Sequence, residues 1–165
     1  MDAKRAGKLL VVEDEHLLRG LIAQFLRAEG FEVVEAADGS QGVAFFSALR
    51  PFDLVLLDLN LPYLPGVEVC RHIKCEQPSQ AVIICSAAIL DSHIAVLREM
   101  QVEQFLTKPY HPLDLLRKVV TEIGRSRSGA GAEPEPQSRS AIWRTSGRHS
   151  EPASTHTLVK TPILD

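Results

Sequence analysis

Five side chains in this sequence are of types that together suit phosphoryl chemistry: Glu13, Asp14, Asp58, Ser86 and Lys108. Three of them are carboxylates. Like charges brought close raise each other's pKa unless a cation neutralises them. A hard divalent cation does this, and Mg²⁺ suits one or two carboxylates together with waters and phosphate oxygens. Lys108 adds a positive point charge and Ser86 a rotatable hydroxyl. A metal, a lysine, a hydroxyl and an acid acceptor are the parts phosphoryl transfer needs, because positioning and electrostatics do most of the work. A carboxylate can itself be the nucleophile and form an acyl phosphate.

These residues lie far apart in the chain, so the fold must gather them. Asp58 ends the most apolar run, Phe52-Asp53-Leu54-Val55-Leu56-Leu57-Asp58. Such a run reads as a strand buried on both faces of a parallel sheet. Other strand-like runs end at Glu13-Asp14, Ser86 and Lys108. Open α/β sheets place their chemistry beyond the carboxyl ends of the strands. Each residue also has a plainer reading. Glu13 and Asp14 could cap the next helix, Asp58 could start a turn, Ser86 could be a small strand-end residue, and Lys108 could be a solvated lysine. The plain readings weaken together, because these residues fall at the ends of the first, third, fourth and fifth strands.

Between these runs the hydrophobic period switches to that of helices. Leu17, Leu18, Leu21, Ile22, Phe25 and Leu26 recur at helical spacing up to Gly30, a C-terminal stop. Asp38 or Ser40 caps a helix to about Leu49, and Arg50-Pro51 breaks it. A breaker-rich loop, Asn60 to Gly66, precedes a short helix to about Cys75. Asp91 caps a helix to about Met100. Pro112 opens a last helix with Leu113, Leu116, Val119, Val120 and Ile123 as its apolar stripe. Strict alternation of five strands and five helices implies a doubly wound parallel sheet with right-handed crossovers.

Composition sets the outer bounds. The 165 residues suit one domain and an extension, and the net charge is −3. Residues 1–124 carry 12 Lys and Arg against 17 Asp and Glu, a balance that disfavours direct nucleic-acid binding. No run approaches the roughly 18 apolar residues of a membrane span, and the N-terminal run is too short for a secretory signal, so a cytoplasmic chain is expected. Cys70, Cys75 and Cys85 show no pairing pattern and read as buried small apolar residues. After Gly124 the composition turns to Ser, Gly, Ala, Pro and Arg. Residues 125–165 are expected to be a disordered polar tail, with a candidate docking motif at 157–165.

The motif segments resemble the receiver domain of two-component response regulators, of the chemotaxis-regulator (CheY-like) type. They are Leu9-Leu10-Val11-Val12-Glu13-Asp14-Glu15, Leu54 to Pro62, Ile84-Cys85-Ser86-Ala87 and Phe105-Leu106-Thr107-Lys108-Pro109-Tyr110, with Gly66 eight residues after Asp58. The resemblance spans residues 7–124. It implies the flavodoxin-like (βα)5 fold with strand order 2-1-3-4-5. It implies Asp58 as phosphoacceptor, Asp14 as direct Mg²⁺ ligand, Glu13 acting through water, and the backbone carbonyl of Asn60 completing the metal site. Ser86 would bond one phosphoryl oxygen and Lys108 another, and Phe105 would be the switch aromatic that moves with Ser86. A cis Lys108-Pro109 bond is implied as well. Glu13 stands where Asp is commoner, Ala87 leaves the site open, and Asn60 and Ala88 flank the acceptor.

The implied partners are a sensor histidine kinase or phosphotransfer protein and a downstream protein, with a phosphorylation-dependent homodimer as one output. No separate substrate turnover is expected. Because residues 125–165 are few and polar, a stand-alone receiver is expected. Two other classes compete. An aspartate-nucleophile phosphatase of the haloacid dehalogenase type shares the Asp, Ser, Lys and Mg²⁺, but needs a second acid where Asn60 stands. A binding module that no longer uses phosphate is the other.

Overall fold

Leu54, Val55, Leu56 and Leu57 are all buried, as a run without polar interruption requires when helices cover both faces of a sheet. They form β3 of the computed structural model, which describes residues 6–129. The other strands are β1 (Lys8–Val12), β2 (Glu32–Ala36), β4 (Val82–Ser86) and β5 (Gln104–Thr107). The helices are α1 (His16–Ala28), α2 (Gly39–Leu49), α3 (Gly66–Glu76), α4 (Asp91–Glu99) and α5 (Pro112–Gly129). All strand pairs are parallel, in the order β2-β1-β3-β4-β5. This is the expected flavodoxin-like (βα)5 topology.

Two-residue periodicity splits the core into two layers. Leu10, Val12, Val55, Leu57, Val82 and Ile84 face Phe46, Val69, Ile73 and Leu97, from α2, α3 and α4. Leu9, Val11, Leu54, Leu56, Ile83 and Cys85 face Ile22, Leu26, Leu115 and Val119, from α1 and α5. At about 25 cal/mol per Å² of apolar area removed from water, these layers supply the main folding force.

Helix ends follow local chemistry. Asp38, not Ser40, caps α2, its carboxylate accepting from the Gln41 N–H at 2.8 Å. Gly30 takes φ +90° beyond α1. The Gly30 N–H reaches the Arg27 carbonyl and the Phe31 N–H the Leu26 carbonyl, which satisfies the last turn.

Several expectations need correction. Asp91 is the first residue of α4 rather than its cap, and Leu90 holds the cap position with no side-chain bond. Leu17 and Leu21 are exposed, because the buried row of α1 runs through Ile22, Ala23 and Leu26. The buried row of α5 is Leu115, Val119 and Ile123 at four-residue spacing, leaving Leu113 and Val120 exposed. That helix also continues past Gly124 to Gly129, and Arg127 pairs with Asp53 at 2.9 Å. The implied cis Lys108-Pro109 bond, by contrast, is present, and Arg50-Pro51 is cis as well. The remaining tail and the segment 157–165 lie outside the described residues. Among the described residues, no helix is long and apolar enough to cross a membrane.

Candidate functional site

Backbone pairing carries the chemically able residues just past the strand ends. The Glu13 N–H bonds to the Ala36 carbonyl at 3.1 Å, one step beyond the β1–β2 ladder. The Asp58 N–H bonds to the Val12 carbonyl and the Lys108 N–H to the Ser86 carbonyl, each at 3.0 Å. Glu13, Asp58, Ser86 and Lys108 are therefore set by the sheet rather than by free loops. Gly66 folds the loop after Asp58 back on itself, its N–H bonding the Leu59 carbonyl at 3.0 Å. A Cβ on Gly66 would overlap the Asp58 carbonyl and the Leu59 Cα, so this close approach needs glycine.

The side chains converge. Glu13 and Asp58 are 3% and 5% exposed and Ser86 is fully buried, while Asp14 is exposed. Lys108 Nζ lies 2.5 Å from both Glu13 Oε2 and Asp58 Oδ2. Asp58 Oδ1 accepts from the Asn60 N–H at 3.0 Å, and Asn60 Nδ2 donates to Ser86 Oγ at 3.4 Å. The nearby acid, amine, amide and hydroxyl thus form one connected set.

One lysine faces two nearly buried acids. Burial acts to raise the Asp58 pKa, but the bond from Lys108, the Asn60 N–H and the bond with Ser86 outweigh it. Asp58 is held below the ordinary carboxylate range. For Glu13 burial wins over Lys108, and repulsion from Asp58 adds to it, so its pKa is raised. Lys108 is raised too, because its two acid partners outweigh its own burial. The asymmetry favours an ionised Asp58, the condition for nucleophilic attack.

Glu13, Asp14 and Asp58 each offer an oxygen, and these oxygens lie within 4.8 Å of one another. Among the described residues, no other group of His, Cys, Asp and Glu clusters in this way. Three acids against one lysine leave surplus negative charge, and the donor set is all hard oxygen. That set fits a divalent cation of the Mg²⁺ type.

A cleft of about 370 Å³ opens beside Lys108, lined by Glu15, Leu18, Ala87, Pro109 and Tyr110. A larger hollow, about 510 Å³, lies at the other edge of the sheet against Phe52, Asp53 and Gln80. It carries no such cluster, and its charged pair, Asp53 and Arg127, is already mutually satisfied. Phe105 is half-buried and packs against the layer of α2, α3 and α4. Sequence reasoning did not single out Arg19, which reaches the loop carrying Glu13 and Asp14. An arginine on the first turn of an amphipathic helix has no mark in sequence that separates it from a solvated one.

The model of the response regulator receiver domain matches residues 9–120. The DNA-binding response regulator MtrA of Mycolicibacterium smegmatis is 36% identical over 127 residues, covering 76% of this chain and 54% of that protein. The chain spans about half the length of the curated relatives it matches. A receiver domain protein (CheY-like) from Methanospirillum hungatei superposes with a TM-score of 0.71 at 25% identity, covering 73% of this chain and 96% of that one. The receiver domain of the sensor histidine kinase PA1611 from Pseudomonas aeruginosa, with magnesium in its active-site cleft, gives 0.64 at 28% identity, covering 72% and 98%.

Proposed function

Because the chain belongs to the response regulator receiver family, we propose that Asp58 accepts a phosphoryl group from a histidine kinase or phosphotransfer protein and thereby switches protein contacts. The observation that carries this reading is the state of Asp58. It is nearly buried and held against Lys108 Nζ at the carboxyl edge of the sheet.

In the proposed step an Asp58 carboxylate oxygen attacks the phosphorus of a phosphohistidine. A P–O bond forms and the P–N bond breaks. The imidazole leaves with the bonding pair, to be protonated from solvent. Lys108 then pairs with a phosphoryl oxygen, and the Ser86 hydroxyl, released from the Asp58 carboxylate, donates to another. Glu13, Asp14, Asp58 and the backbone carbonyl of Asn60 would hold Mg²⁺, which neutralises charge on the phosphoryl oxygens when bound. The magnesium in the PA1611 receiver supports that assignment. Movement of Ser86 would leave room for Phe105 to turn inward, a population shift that alters the surface around β5.

The acceptor is not a turnover catalyst in this reading. Asn60, two residues beyond Asp58, offers an amide and no proton to a leaving group. That disfavours the phosphatase alternative. Acetyl phosphate with Mg²⁺ should add one phosphoryl group per chain by intact mass, and Asp58→Ala should add none. Equal labelling of Asp58→Ala, or steady turnover of a phosphate ester, would overturn the assignment.

A further inference from the structure

We propose that Arg19 is a positioning residue that holds the loop carrying Glu13 and Asp14 in its cation-binding shape. The inference rests on the Mg²⁺ site proposed above. Glu13 and Asp14 lie between β1 and α1, where their carbonyls take no strand or helix partner, whereas the Glu15 carbonyl accepts from the Arg19 N–H at 2.9 Å. Arg19 Nη1 donates to the Glu13 carbonyl at 2.8 Å and to the Asp14 carbonyl at 3.3 Å. One guanidinium nitrogen thus binds the main chain of both acids.

The arginine is itself held. Its side chain is only 12% exposed, and its Nε lies 3.8 Å from Glu35 Oε2. Glu35 Oε1 is 2.9 Å from Arg27 Nη1. Arg27 Nη2 donates to the Val33 carbonyl at 2.8 Å. The loop is therefore tied through Arg19, Glu35 and Arg27 to β2. A guanidinium presents donors in a planar fork and can serve the loop and Glu35 together, which a lysine ammonium on a flexible stem does less well.

Positioning and simple charge make opposite predictions. Removing a cation near an acidic site lessens repulsion of Mg²⁺, so charge alone predicts tighter binding. Loss of the clamp predicts weaker binding, because groups that orient metal ligands typically carry about 10- to 100-fold in affinity.

Calorimetric titration of MgCl₂ into the full chain separates the two. Arg19→Gln should bind about 10-fold more weakly than wild type, and Arg19→Lys should recover only part of the loss. Labelling of Arg19→Gln by acetyl phosphate should need more Mg²⁺ yet reach the wild-type rate at saturation. Binding as tight as wild type or tighter overturns the inference alone. So does a lowered maximal rate that saturating Mg²⁺ does not restore, since that marks general loosening of the domain. If Arg19→Gln fails to fold, Arg19→Lys takes its place: it keeps the charge and loses the planar fork, so a few-fold loss is expected and unchanged affinity refutes the clamp. A wild-type chain that takes no Mg²⁺ overturns the site and the clamp together.

Discussion

Replacing Lys108 by Met keeps the aliphatic stem and removes the charge that two acids share. In the wild type, Nζ lies 2.5 Å from Glu13 and from Asp58, both nearly buried. Taking one partner from a buried ion pair typically costs about 3–5 kcal/mol, because the remaining charge is left without a partner. We expect Lys108→Met to lose about 3 kcal/mol at pH 7 without metal. That is a large share of the roughly 5–15 kcal/mol of a typical domain. The melting temperature should fall by about 10 °C.

The pH dependence then gives the sharper test. The wild-type Asp58 has a lowered pKa. Its stabilising share is present above the unfolded carboxylate value and is lost as pH falls through the folded one. Without Lys108, burial and mutual repulsion should raise both acids, so the folded state takes up protons more readily than the unfolded one. Lys108→Met should therefore gain stability as pH falls from 7 towards 5. Mg²⁺ at 100 times its dissociation constant should restore about 2.7 kcal/mol. Urea denaturation of metal-free protein at both pH values, with and without MgCl₂, reads all of this. A variant as stable as wild type at pH 7, or one that loses stability on acidification to pH 5, would refute the shared-lysine account.

Two further tests probe the scaffold. Gly66→Ala forces a Cβ into the Asp58 carbonyl and Leu59 Cα, and should cost about 1–3 kcal/mol while slowing acetyl phosphate labelling; unchanged stability and labelling would show that the loop relaxes freely. Burial pushes the Cys70 thiol up to about 11 and the Cys85 thiol up to about 12, whereas Cys75, expected to be buried like them, is exposed near the end of α3. Ellman's reagent on native protein should titrate one thiol quickly and all three only after unfolding, and two fast thiols would contradict the burial.

The sequence displayed the sheet well because its strands are apolar on both faces and end in polar residues. Leu54 to Leu57 need no tertiary knowledge to read as a central strand. Gathering of Glu13, Asp14, Asp58, Ser86 and Lys108 followed from strand order once the sheet was parallel. Helix faces were harder. A run such as Leu17-Leu18-Leu21-Ile22 is apolar over a wider arc than one packing surface uses, so periodicity could not tell Ile22 from the exposed Leu21. The division of Lys108 between two acids was also out of reach, since it depends on how far each side chain extends. Arg19 depends on the path of a short loop, which side-chain patterning does not record. The last turn of α5 was hidden because Arg125, Ser126, Arg127 and Ser128 look like tail, while Arg127 gains the Asp53 carboxylate and the Ala6 carbonyl as partners.

Asp58 itself should carry the phosphoryl group. Phosphorylated protein can be treated with borohydride, which reduces an acyl phosphate to an alcohol, and then mapped by peptide mass spectrometry. Phosphorylation of Asp58 should give homoserine at position 58, dependent on Mg²⁺, and loss of the label under hydroxylamine. A label at Ser86 or a histidine, or one that resists hydroxylamine, would contradict it.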